Sequence, residues 1–149
     1  MTYTYKQLGA EDIATLKQLL RMFGEAFADM HAYQSAVPSD EYLRSLLAKQ
    51  NFIVLVALAD DRVVAGLAAY VLEKFEQERL EIYIYDLAVA RPHRRKGIAT
   101  KLINNLRQIA RERGAYVIYV QADRTDNAAI KLYEPLGIKE EVFHFDIKP

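Results

Sequence analysis

Two near-continuous apolar runs, Phe52–Ala59 and Val63–Leu72, are separated only by Asp60-Asp61-Arg62. No other feature constrains the fold as strongly. Each run has the length of a strand and is rich in β-branched residues, and the polar triplet between them is a turn, so the pair reads as a β-hairpin. The rest of the chain is read around it. Tyr3 to Leu8 predicts a short first strand. Ile13, Leu16, Leu20, Phe23 and Phe27 recur at steps of three and four, the period of an amphipathic helix. Gly24 within that helix weakens or bends it by up to about 1 kcal/mol relative to Ala. Pro38-Ser39-Asp40 starts a second, shorter helix with Tyr42, Leu43, Leu46 and Leu47 on its apolar face, and Asp29 to Val37 reads as a loop.

After the polar stretch Glu73–Glu78, residues Leu80 to Val89 predict a third long strand. Ile98, Leu102, Ile103, Leu106 and Ile109 return to helical spacing, with Gly114 as the C-cap. Tyr116 to Ala122 is a strand, Asp126 to Glu134 a short helix, Pro135 to Gly137 a break, and Glu141 to Ile147 a last strand with aromatic alternation. The order β-α-α-β-β-β-α-β-α-β predicts an α/β (α+β) fold with a mixed sheet and helices on both faces, in a single domain over residues 1–149.

Charge narrows the function classes. Twenty Lys plus Arg balance twenty Asp plus Glu, so the total predicts neither a nucleic-acid nor a membrane partner. The absence of cysteine excludes disulfides, thiolate metal sites and cysteine nucleophiles. His31, His93 and His144 are too scattered for a metal cluster, so no metal is expected. No run approaches the roughly 18 apolar residues of a membrane span, and the expectation is a cytoplasmic protein. Neutrality is nevertheless a sum. Residues 91 to 111 carry seven Lys or Arg and no Asp or Glu, whereas Glu73, Glu76, Glu78, Glu81 and Asp86 cluster just before them.

The basic stretch contains Arg94-Arg95-Lys96-Gly97-Ile98-Ala99-Thr100, a turn running from a strand into a helix. A helix N-terminus presents unpaired N–H groups and the positive end of the macrodipole, which suit a phosphate. The run matches Arg/Gln-x-x-Gly-x-Gly/Ala and resembles the pyrophosphate loop of the GNAT superfamily of acetyl-coenzyme A dependent N-acetyltransferases. A second string, Asp126-Asn127-Ala128-Ala129-Ile130-Lys131-Leu132-Tyr133-Glu134-Pro135-Leu136-Gly137-Ile138, resembles the family's Asn-x-x-Ala-x-x-Leu-Tyr-x-x-x-Gly-Phe, with Asp126 at the usual Asn position and Asn127 beside it. Further strings, among them Glu81-Ile82-Tyr83-Ile84-Tyr85-Asp86-Leu87-Ala88-Val89 and His144-Phe145-Asp146, are similar to the type I aminoglycoside 3-N-acetyltransferases, the gentamicin-modifying group.

The resemblance implies a mostly antiparallel sheet of six to seven strands with splayed central strands, acetyl-coenzyme A as cosubstrate, a cationic aminoglycoside as acceptor, and a homodimer. It places pantetheine and the thioester carbonyl on Leu87, Ala88 and Val89, with the Leu87 N–H as oxyanion donor. It places the pyrophosphate on Arg94, Arg95, Lys96, Gly97, Ile98, Ala99 and Thr100, further cofactor contact at Asn127, and Tyr133 beside the sulfur. Asp86 is the first choice of base for the ammonium of the substrate and Glu81 the reserve. A regular strand would point these two carboxylates to opposite faces, so both reach one side only if a bulge intervenes. Asp123 and Asp146 are expected near bound antibiotic, and the Tyr83, Tyr85, Tyr116 and Tyr119 alternation reads as sheet packing. Two other readings share the cofactor half: acetylation of another amine, such as a polyamine or a protein lysine, and a non-catalytic acetyl-coenzyme A binding domain.

Overall fold

The computed structural model describes residues 2–149. Five strands form one sheet in the order of the sequence: β1 (Thr4–Gln7), β2 (Phe52–Ala59), β3 (Arg62–Glu73), β4 (Leu80–Val89) and β5 (Ala115–Val120). The first four are antiparallel to their neighbours, and β5 runs parallel to β4. That reversal follows from the connection, since a sixteen-residue helix, α4 (Ile98–Arg113), carries the chain back across the sheet. Gly114 ends α4 in the left-handed conformation, φ 75°, as its position after the last helical turn predicts.

The hairpin lies at the centre. Its residues alternate between two cores: Ile53, Leu55 and Ala57 pack towards α4, while Val54 and Val56 pack towards α1 (Ile13–Ala26) and α3 (Asp40–Ala48). Both faces of β2 are therefore buried, which is why its sequence is a continuous apolar run with no polar alternation. Helices do cover both faces, as expected.

Two expectations need correction. The sheet has five strands among the described residues, not six to seven, because 141–147 forms no strand; an aromatic alternation supplies one apolar edge but needs a neighbouring strand for its hydrogen bonds. The segment Asp29–Val37 is not wholly loop: it contains a one-turn helix, α2 (Met30–Gln34), capped by the Asp29 carboxylate accepting from the Ala32 N–H at 3.1 Å. Gly24 lies within a continuous α1, where its lack of a side chain has a packing role. A Cβ there would lie 2.7 Å from the Met30 sulfur and 3.2 Å from the Tyr33 Cβ, so the glycine is what lets α2 cross closely over α1.

Gly66 performs the same service between α1 and β3, where a Cβ would lie 2.5 Å from Leu19 Cδ1 and 3.0 Å from the Leu55 carbonyl oxygen. Leu19 can rotate but the Leu55 backbone cannot. Gly66→Ala should therefore destabilise the fold by about 1–3 kcal/mol through overpacking, read as a lower urea midpoint with an unchanged m-value.

Candidate active site

The site begins with an irregularity in β4. Ala68 of β3 pairs with Asp86 and Ala69 with Ile84, so Tyr85 has no partner and forms a bulge. Before it, Ile82 and Ile84 face the α4 core; after it, Leu87 and Val89 face that core and Ala88 faces the α1 side. The extra residue turns the strand over. Glu81 and Asp86, five positions apart, consequently lie on the same face, the arrangement that a bulge was required to produce. At about 3.3 Å per residue they are separated by roughly 13–17 Å along the strand.

Pairing also changes there. β4 bonds to β5 only from Leu80 opposite Ala115 to Ile84 opposite Val120, whereas its pairing to β3 continues to Val89. Residues 85–89 are thus open on one side, which is the splay anticipated between the central strands. The Ala90 N–H donates back across β3 to the Val64 carbonyl at 2.7 Å. Successive residues alternate sides, so Ala88 faces β3 as well, and the backbone groups of Leu87 and Val89 face the open side. The Arg94 side chain confirms that direction by donating from Nε to the Val89 carbonyl at 2.9 Å.

Asp86 is half-buried beside this opening. Its Oδ1 accepts from the Tyr33 hydroxyl at 3.0 Å. Burial raises the carboxyl above its ordinary range, and the Tyr33 bond opposes that rise only in part. Tyr33 itself is pushed well up, first by burial and then by the Asp86 charge, so it remains a donor. No cation pairs with Asp86 among the described residues.

Glu81 is occupied. It accepts from the Tyr116 hydroxyl and lies 3.6 Å from Lys74 Nζ, while Arg79 stacks 3.9 Å above the Tyr116 ring and bonds Glu76 at 3.3 Å. Four charges and a phenol form one network at the start of β4. Between the two carboxylates runs a row of aromatic rings: Tyr70 to Tyr85 at 5.9 Å, Tyr85 to Tyr83 at 5.6 Å, and Tyr83 stacked on Tyr119 at 4.6 Å. The expectation of simple packing holds only for contacts within this row. Tyr85 is 63% exposed, so the row is a surface and not a core.

On the other face the turn reaches α4. Gly97 is left-handed, φ 78°, with nothing within 4 Å of where a Cβ would sit, and Arg95 is left-handed too, φ 61°. The first turn of α4 holds no acidic residue and no side chain caps it, so its N–H groups stay available. Arg94, Arg95, Lys96 and Gly97 are exposed around it, Ala99 and Thr100 half-buried. This donor set fits a pyrophosphate. Ile98 needs a correction in kind: its side chain is buried in the core, leaving only its backbone to face a ligand.

Asp126 caps α5 (Asn127–Tyr133), accepting from the Ala129 N–H at 3.1 Å. Asp and Asn serve equally as N-caps, which accounts for Asp126 where the motif has Asn. Asn127 is exposed beside it. Tyr133 packs on the α4 core together with Leu87 and Val89, and burial, with a lesser push from Asp126, raises its phenol to about 12.

The structure thus gathers Asp86, Leu87, Ala88 and Val89 at the opening, with Tyr133 and the α4 turn on one side and Glu81 on the other. Asp123 sits exposed in the turn before α5. Asp146 is 93% exposed on a segment outside the helices and strands, and among the described residues its carboxylate bonds only His144, at 2.8 Å. Sequence reasoning missed Tyr33, which lies in the stretch read as loop. A contact 53 residues away in the chain leaves no local signal.

A five-stranded mixed sheet whose parallel pair parts beside a basic strand-to-helix turn is the architecture of acyl-coenzyme A dependent acetyltransferases. Residues 16–138 match the acetyltransferase (GNAT) family, and the chain belongs to it. Among solved structures, it is similar to the aminoglycoside acetyltransferase HMB0005 from an uncultured soil metagenomic sample, 53% identical with a TM-score of 0.98 over 100% of this chain and 99% of that one. It is also similar to the aminoglycoside acetyltransferase meta-AAC0020, likewise from an uncultured soil metagenomic sample and in complex with sisomicin: 36% identical, TM-score 0.91, 99% and 96% covered. Among curated proteins, the probable N-acetyltransferase camello of Xenopus laevis is 30% identical over 119 residues, 78% of this chain and 53% of that protein. The chain spans about half the length of the curated relatives it matches. Among the described residues no helix is long and apolar enough to cross a membrane.

Tyr33→Phe removes the one contact that lowers the Asp86 pKa. The carboxyl titration of Asp86, followed by ¹³C NMR, should move to higher pH in this variant. A shift to lower pH would mean that the hydroxyl does not stabilise the ionised form.

Proposed function

We propose that this protein transfers the acetyl group of acetyl-coenzyme A to an amine of an aminoglycoside, specifically the 3-amino group of the gentamicin class, and so confers resistance on a host. The observation that carries the reading is Asp86, a half-buried carboxylate with no cation against it among the described residues, held beside a strand whose next N–H faces an open edge. An aminoglycoside amine is mostly protonated near neutral pH. A desolvated carboxylate of raised pKa attracts that ammonium and is a better base for its proton than an ordinary one. Glu81, already paired with Lys74, is the weaker candidate for base and serves instead to attract a second amine of the same polycation. The row of half-exposed tyrosines between them offers apolar faces to sugar rings. The high identity to HMB0005 and meta-AAC0020 supports the same substrate class.

Acetyl-coenzyme A supplies the thioester. The turn Arg94–Thr100 would hold its pyrophosphate through backbone N–H groups and the three basic side chains, with Asn127 at the edge of the same cradle. The open edge of Leu87–Val89 would receive the pantetheine amides and the thioester carbonyl. The Leu87 N–H then faces the oxygen that gains charge as the amine attacks, an interaction typically worth about 2.7–4 kcal/mol of barrier. Tyr133 acts as a hydrogen-bond donor to the departing sulfur. Complete proton transfer from a phenol near 12 to a thiolate whose conjugate acid is near 8.5 would run uphill by about 5 kcal/mol. Orientation without full transfer is therefore the role that its burial favours.

Thiol release from acetyl-coenzyme A should be strong with gentamicin or sisomicin and weak with spermidine or a lysine peptide. Turnover confined to the last two would replace the antibiotic by another amine, and none with any amine would point to a binding domain. Mass and NMR analysis of the product should locate the acetyl group on N3. Asp86→Asn should lower kcat at least about 100-fold at pH 7 and remove the acidic limb of the rate profile. Its melting temperature should not fall, because a carboxylate raised by burial destabilises the fold in its ionised form, above its unfolded pKa.

A further inference from the structure

We propose that Tyr3 and His93 are positioning residues for the phosphate-suited turn: the hydrogen bond between them pins Arg94–Ala99 in the shape that a pyrophosphate requires. The inference rests on the cofactor half of the proposed function and adds to it two residues that touch no reacting atom.

The turn needs holding. Arg95 is left-handed at φ 61° and Gly97 at φ 78°. Glycine adopts that conformation freely, but arginine keeps it only where its surroundings fix it. Most of the bonds that could do so are local. The His93 N–H donates to the Ala90 carbonyl at 2.9 Å, the Arg94 N–H to the Arg91 carbonyl at 3.3 Å, and the Lys101 N–H to the Gly97 carbonyl at 3.0 Å. The Arg94 side chain returns to the Val89 carbonyl. All of these lie within residues 89–101 and would travel with the segment if it moved.

One contact is not local. The Tyr3 hydroxyl lies 2.9 Å from His93 Nδ1, across 90 residues of sequence, and the two rings meet edge to face with centroids 5.7 Å apart. Among the described residues, no other hydrogen bond or ion pair joins 91–97 to a part of the chain outside 89–101. The anchor is firm. Tyr3 is half-buried one residue before β1 and packs with Tyr5 on the α4 core, as residues two apart on a strand share a face. β1 is paired along its length to β2, whose two faces are both buried. A phenol donates to a bare imidazole nitrogen and accepts from a protonated one, so either tautomer of His93 keeps the bond.

The opposite flank is open. Towards α1, Arg91, Pro92 and Arg94 border a cleft of about 390 Å³ whose far wall is Met22, Glu25 and Ala26. The position of the turn is therefore set from the Tyr3 side. Without that contact the exposed basic segment samples shapes in which its N–H groups no longer converge, and affinity falls by the fraction of time spent in the competent one.

Tyr3→Phe, His93→Phe and the double variant each keep two rings and lose the bond. Calorimetric binding of coenzyme A should weaken about five-fold in either single variant, the net worth of one neutral hydrogen bond. The double variant should bind no more weakly than the singles, because each already removes the same interaction. KM for acetyl-coenzyme A should rise by the same factor, with kcat and the KM for the amine unchanged. In the free protein, amide hydrogen exchange of residues 94–99 should quicken in Tyr3→Phe. Equal coenzyme A affinity in wild type and Tyr3→Phe overturns the pin, and so do additive losses in the double variant. Faster exchange confined to β1 and β2 also overturns it, since a tyrosine that only stabilises its own strand gives that pattern. A wild type that binds no coenzyme A defeats the cofactor reading and the pin together.

Discussion

Everything at the candidate site depends on one unpaired residue, Tyr85. With a regular β4, Asp86 would follow Ile82 and Ile84 into the apolar core under α4, where an ionised carboxylate is not tolerated. The bulge turns Asp86 to the α1 face and sends Leu87 and Val89 to the α4 face. It also lies where the pairing to β5 ends, so the residues that follow have an open edge. The face offered to an amine and the edge offered to a thioester therefore come from the same local defect. Bulges are costly to a ladder and recur where a strand must re-aim a side chain.

Asp86 is then tuned by neighbours that are remote in sequence. Burial raises its pKa, and the Tyr33 hydroxyl holds the rise in check while fixing the carboxylate in one orientation. Tyr33 reaches it because α2 crosses close over Gly24, and α1 sits close on the sheet because of Gly66. Two glycines with ordinary backbone angles thus act through the space that they leave empty. Neither is needed for conformational freedom.

The charge pattern is more selective than the sequence suggests. The basic residues of the turn and of α4 lie on one face of the sheet, as a phosphate-bearing ligand requires. The carboxylates before them are not a uniform acidic field, because Glu76 and Glu81 are bridged by Lys74 and Arg79. Asp86 stands apart from them: it is half-buried, and among the described residues no cation lies against it. A neutral total here combines a basic surface, an internally paired cluster and a desolvated carboxylate held only by a phenol.

Much of this was determined by the sequence alone. Continuous apolar runs, the helical spacing after Gly97 and the basic turn between β4 and α4 are local properties, set by side-chain period and backbone preference, and they located the hairpin, α4 and the phosphate-suited loop. The motif around Tyr133 located α5. What local pattern could not decide was pairing. The bulge at Tyr85 appears only against Ala68 and Ala69; the bond of Tyr33 to Asp86 spans 53 residues; and the alternation of 141–147 predicts a strand that pairs with no neighbour among the described residues. A strand's faces are written in its own residues, but its register, its neighbour and its reach belong to the sheet, because the hydrogen bonds that fix them are made to other parts of the chain.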